Sequence, residues 1–170
     1  LASVAAGSKG LGLFAPVALP AVLDDKRKNR LKYLTKNAIK HLENDNGFFL
    51  LVEASQVDWA GHANDIASAM AEMHDLAITM EYLRDYVEAN PDTLVVLTAD
   101  HSTGGLTIGA NGDYRWSPEH LKSLSASVMT IALEMANEEH PGEFVAAKFG
   151  LSLTEQELAT LNSISNQDDK

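Results

Sequence analysis

Two short apolar runs, Phe48-Phe49-Leu50-Leu51-Val52 and Thr93-Leu94-Val95-Val96-Leu97-Thr98, stand on either side of a long helical pattern. Each is too short to be a helix and lacks the alternation of a half-buried strand, so each reads as a strand covered on both faces. Between them, Ile66, Met70, Met73, Ala77, Met80, Leu83 and Val87 recur at steps of three and four, one apolar stripe on a helix from about Asn64 to Ala89. Strand, long helix, strand implies a right-handed crossover in a parallel sheet. The expected fold class is therefore α/β, a central, largely parallel sheet flanked by helices.

The flanking segments extend this pattern. Gly10-Leu11-Gly12-Leu13-Phe14 reads as a first strand, and Pro16 and Pro20 bracket the loop after it. Leu31, Leu34, Ala38 and Leu42 predict a helix from about Lys26 to Asn44, stopped by Asn46-Gly47. Beyond Gly104-Gly105 the character becomes helical. Ser117-Pro118-Glu119 is a helix-start signal, and Leu121, Leu124, Val128, Ile131 and Met135 continue it to about Asn137, before Pro141-Gly142. Thr154 and Glu157 form a capping box, with Leu153 and Leu158 placed for a hydrophobic staple. Residues 1–110 are expected to be α/β core, and residues 111–170 a mainly helical insertion or subdomain. The chain starts at Leu1 without Met, its first stretch lacks the charged leader of a signal peptide, and Asn166 to Lys170 reads as a frayed tail or the edge of something longer, so neither end is expected to be a natural terminus.

The chemistry stands where the two apolar runs stop. Glu53 follows the first, and Asp58-Trp59-Ala60-Gly61-His62 comes soon after. Asp100-His101 follows the second. In open α/β sheets, ligands bind at the carboxyl ends of the strands. An unpaired carboxylate directly after a buried strand would face a heavy desolvation cost, so a partner is expected. Either motif by itself is compatible with a turn or a helix cap; both at the same sheet edge point to metal. The chain has no Cys, so any metal is held by imidazole and carboxylate. Asp with His suits zinc, and Glu alone suits magnesium or a supporting role just outside the ligands.

Charge bears on the substrate. The formal net charge is −11, from 13 Lys+Arg against 24 Asp+Glu, which argues against a nucleic-acid partner. It would also disfavour an anionic substrate, except that divalent cations reverse the local sign of a site. A pair of ions about 4 Å apart would clamp the attacking and leaving oxygens of an in-line displacement, as in phosphatases, nucleases and some peptidases. No apolar run reaches the roughly 18 residues of a membrane span.

The segments Val52-Glu53-Ala54-Ser55-Gln56-Val57-Asp58-Trp59-Ala60-Gly61-His62 and Thr98-Ala99-Asp100-His101-Ser102-Thr103-Gly104-Gly105 resemble the alkaline phosphatases, in particular marine bacterial members of the Vibrio type. The likeness covers roughly residues 45–110. It implies that Asp58 and His62 hold one zinc, Asp100 and His101 a second, and Glu53 a magnesium. It also implies phosphomonoester hydrolysis through a phosphoserine intermediate, a homodimer, and a periplasmic or secreted location. The family's nucleophilic serine motif and phosphate-binding arginine have no match here: Ser55 and Ser102 lack the context, as do Arg27, Arg30, Arg84 and Arg115. His120 and His140 do not match the family's downstream zinc histidine, and His41 and His74 are expected to be solvated. The chain is accordingly expected to be a central segment that supplies part of a metal site and needs the remainder of the same enzyme. Two further readings share these residues: a phosphodiesterase or phosphonate hydrolase of the same superfamily, and a non-catalytic metal-binding or dimerisation module.

Overall fold

A computed structural model describes residues 8–119 and 121–164; His120 and the polar tail from Asn166 lie outside the described residues. Among the described residues six α-helices form: α1 (Arg30–Leu42), α2 (Ser55–His62), α3 (Ile66–Ala89), α4 (Val128–Met135), α5 (Pro141–Phe149) and α6 (Glu155–Ile164). The long helix falls where the three-and-four periodicity puts it, and α1 is a shortened form of the helix expected over 26–44. Gly47 has φ +76, the left-handed conformation that glycine adopts without strain. The capping box also forms. The Thr154 hydroxyl donates to Glu157 Oε2 at 2.8 Å, while Glu157 N donates to Thr154 Oγ1 at 3.3 Å.

The expected strands are a different matter. Among the described residues none of the three runs pairs into a ladder, and no backbone hydrogen bond joins 48–52 to 93–98. Their side chains stand open instead: Leu11 is 82% exposed, Phe49 88% and Leu94 85%. A strand exists only through a neighbour's backbone groups, and these runs make no such pairing among the described residues. The stripe on α3 is affected in the same way, with Met70 and Met73 half exposed.

The face of α3 that is buried is the polar one, Ser68, Glu72, Asp75 and Thr79. It packs on α1 and on a short 3-10 turn, Val22–Asp24. At the centre is Arg30, the first residue of α1. Its guanidinium donates to Asp25 Oδ2 at 3.1 Å, to Glu72 Oε1 at 3.2 Å and to the Pro20 carbonyl. Glu72 Oε1 also accepts from Val22 N at 2.7 Å, and Asp75 Oδ2 accepts from Leu31 N at 3.1 Å. The last bond satisfies one of the orphan amides at the start of α1 with a carboxylate from another helix.

The two acids beside Arg30 titrate in opposite directions. The Arg27 guanidinium hydrogen-bonded to Asp25 holds that carboxyl well below the usual carboxylate range, with Arg30 adding to the effect. Burial pushes Glu72 up, and outweighs its bonds to Val22 and Arg30. Asp25 therefore contributes stability that is fully present above the unfolded value near 4 and is lost as pH falls towards the folded value. The Glu72 contribution has the other sign: it is complete below the unfolded value and is lost as pH rises through the raised one. Melting of Asp25→Asn across acid pH should show a flatter acid limb than the unsubstituted protein. Parallel losses of stability in the two proteins would exclude Asp25 as the group responsible.

The helix expected over 117–137 breaks in two. Residues Leu121–Ser123 make a 3-10 turn, and α4 begins only after Ser127. Ser127 Oγ accepts from Thr130 N at 3.1 Å, a proper N-cap. Two acids then anchor this cap to the rest of the fold. Asp24 Oδ1 accepts from Ser127 N at 2.9 Å, and Asp65 Oδ2 accepts from Val128 N at 2.8 Å. Asp65 is itself the N-cap of α3, accepting from Ser68 N at 2.9 Å. Tertiary bonds to Ser127 thus override the Ser117-Pro118 start signal. Pro141 opens α5 at its first turn, and His140 precedes it. His41 is half-buried, its Nε2 2.9 Å from the Ser8 carbonyl oxygen, whereas His74 is exposed as expected.

Candidate metal centre

α2 carries the first pair of donors. Asp58 and His62 are four apart and so share one face of the helix. Asp58 Oδ2 lies 3.4 Å from His62 Nε2. The second pair is on the segment that follows residues 93–98, with Asp100 Oδ2 3.5 Å from His101 Nε2. Both separations exceed an ordinary N–H···O bond. They match the spacing of about 3.3 Å between two ligand atoms held at 2.0–2.1 Å by a tetrahedral ion. All four side chains reach solvent, and Asp100 is 91% exposed. Solvent-facing N and O donors at such spacing are of the kind that zinc takes.

One hydroxyl joins the pairs. Thr103 Oγ1 donates to Asp58 Oδ1 at 2.6 Å and lies 3.0 Å from His101 Nδ1. The backbone reinforces this link through two glycines. A Cβ on Gly104, whose φ is +82, would sit 2.1 Å from the Gly61 carbonyl oxygen, and one on Gly61 would meet Thr103 Cβ at 3.1 Å. Sequence reading passed over both Thr103 and this contact. The available signal was a hydroxyl two residues after His101 followed by paired glycines.

Glu53 is not gathered with the other four. It lines a cavity of about 170 Å³ with Arg30, Ser55, Gln56, Glu72 and Asp75, between α1, α3 and the start of α2. Among the described residues no three His, Asp or Glu side chains converge as a complete ligand set. Each Asp–His pair therefore offers two donor atoms, half of what a tetrahedral shell requires.

A sequence model of the alkaline phosphatase family matches residues 4–162. The chain belongs to the alkaline phosphatase family. It is 47% identical over 132 residues to alkaline phosphatase 3 of Bacillus subtilis, covering 76% of the chain and 29% of that relative. It is 37% identical over 160 residues to alkaline phosphatase 4 of the same organism, 93% of the chain and 35% of that relative. Among solved structures, a cold-active alkaline phosphatase from a psychrophilic Shewanella superimposes with a TM-score of 0.84 at 46% identity, covering 92% of this chain and 40% of that one. The chain thus spans about a third of the length of these curated relatives and shares its fold with an alkaline phosphatase of known structure. Among the described residues no helix is long and apolar enough to cross a membrane.

Proposed function

We propose that this chain supplies part of the metal centre of an alkaline phosphatase that hydrolyses phosphate monoesters through a phosphoserine intermediate. The observation that supports it best is the presence of two Asp–His pairs, at 3.4 and 3.5 Å, brought together by Thr103. In this reading Asp58 and His62 hold one zinc, and Asp100 and His101 hold the other. Glu53 would take part in holding a magnesium, its carboxylate being free of the Arg30 cluster formed by Asp25 and Glu72. When bound, the ions supply Lewis-acid activation and neutralise the charge that develops on the transferring phosphoryl group. The chain's own residues orient the ligand atoms. The α2 turn sets the Asp58–His62 spacing, and Gly104 lets the 100–104 segment lie directly on Gly61.

The serine, the phosphate-binding arginine and the remaining ligands come from the rest of the enzyme. The same remainder supplies the strands that pair with residues 48–52 and 93–98 in a largely parallel sheet and that cover Phe49 and Leu94. Residues 111–170 form the helical insertion, and the enzyme is a periplasmic or secreted homodimer. The net charge of −11 does not oppose a phosphate substrate, since the cations dominate the field where it binds.

Asp58→Ala in the full-length enzyme tests the assignment. Turnover of an aryl phosphate should drop at least about a hundredfold, beyond the usual 10–100-fold effect of an outer-shell partner. Bound zinc, counted by elemental analysis, should fall with it. Wild-type turnover in this variant would remove Asp58 from the ligand set.

A further inference from the structure

We infer that Thr103 is the positioning residue that selects the ligand atom on both sides of the centre at once, an inference that rests on the zinc reading above. A carboxylate oxygen only accepts, so the single hydroxyl hydrogen of Thr103 goes to Asp58 Oδ1, at 2.6 Å. The lone pairs of Oγ1 then face His101 Nδ1 at 3.0 Å. The Ser102 carbonyl oxygen, another acceptor, lies 3.3 Å from the same ring nitrogen. Two acceptors at one nitrogen put the imidazole hydrogen on Nδ1. Neutral His101 therefore presents its lone pair from Nε2, the atom that stands 3.5 Å from Asp100 Oδ2. With Oδ1 engaged, Asp58 likewise keeps Oδ2, the oxygen 3.4 Å from His62 Nε2.

A metal-ligating histidine nearly always donates its other N–H to a partner that fixes its tautomer, and loss of such a partner weakens metal binding by about 10–100-fold. The distinctive feature here is that one partner serves two ligands from different segments. Removing the hydroxyl frees Asp58 to rotate and releases the His101 ring in the same step. Both zinc positions should weaken together, which separate partners would not cause. The backbone keeps the hydroxyl in place, since Gly61 and Gly104 leave no room for the 103–104 segment to shift towards α2.

The test is zinc retention by the full-length enzyme against graded concentrations of a competing chelator, for wild type, Thr103→Val, Thr103→Ser and Asp58→Ala. Thr103→Val should lose both ions at roughly 10–100-fold lower chelator concentration. Thr103→Ser, which keeps the hydroxyl, should hold zinc as wild type does. Equal melting of the zinc-stripped wild type and Thr103→Val excludes a general folding defect; if valine melts lower, Thr103→Ala replaces it under the same criterion. Zinc retention within twofold of wild type in the hydroxyl-free variant, or loss of only one ion, would overturn the inference. If Asp58→Ala also keeps both zincs, the metal assignment itself falls, whereas loss in Asp58→Ala with retention in Thr103→Val removes only the role of Thr103.

Discussion

Gly104→Ala in the full-length enzyme should lose stability and zinc together, by on the order of 3 kcal/mol in stability, well beyond the ~1 kcal/mol of a typical point substitution. Two costs coincide at this position. The residue has φ +82, where an L side chain is strained by roughly 1–2 kcal/mol. The new Cβ would also lie 2.1 Å from the Gly61 carbonyl oxygen and 2.9 Å from its carbon, both backbone atoms of α2. Neither can swing aside as a side chain would, so the 100–104 segment must lift from the helix. That movement separates Thr103 from Asp58 and breaks the link between the two Asp–His pairs. Gly105 is the internal control. Its φ is +61, but nothing lies within 4 Å of a Cβ there, so Gly105→Ala should show the conformational cost without the collision. If the two variants melt alike and hold zinc alike, α2 and the 100–104 segment are not in close contact.

Arg30→Ala should destabilise the fold by about 3–5 kcal/mol, the usual result of taking one partner from a buried ion cluster. Arg30 is 7% exposed and stands between Asp25 and Glu72, which are buried to the same degree. Without it, Glu72 loses its cation in a place where burial already opposes its charge. Lysine is a poor substitute, because one ammonium cannot span two carboxylates and the Pro20 carbonyl in the manner of a planar fork. Arg27→Ala should cost far less, since that side chain is largely exposed although it also pairs with Asp25. Denaturant melts of the three variants check the order. An Arg30→Ala protein within about 1 kcal/mol of wild type would mean that packing, and not the ion cluster, holds α1 to α3.

The periodic helices were legible because helix formation is local. Leu31, Leu34 and Ala38 carry the signal for α1, and the capping box at Thr154 and Glu157 is complete within four residues. The Asp–His pairs were legible for a related reason, since Asp58 and His62 share a helical face and Asp100 and His101 are neighbours in the chain. Strand pairing was not, because a ladder needs the backbone groups of a neighbouring segment, and residues 48–52 and 93–98 pair with none among the described residues. Hydrophobic periodicity located α3 but did not show which of its sides packs on α1. The open stripe at Met70 and Met73 is the apolar one, and the buried face carries Glu72 and Asp75. Those acids are buried because Arg30 and the amides of Val22 and Leu31 lie opposite, forty to fifty residues away in the chain.

Residue chemistry by itself determined the kind of site this chain can build. With no Cys, and with Asp and His at the ends of apolar runs, only imidazole and carboxylate could hold a metal, whatever the fold. The tertiary structure decided which donor atoms face each other. The Thr103 bridge, the contact of Gly104 with Gly61 and the separation of Glu53 from the other four arise from packing between segments about forty residues apart. A hydrogen bond of 2.6 Å or a Cβ clearance of 2.1 Å depends on positions in space, and sequence spacing constrains those only within a helix turn or two.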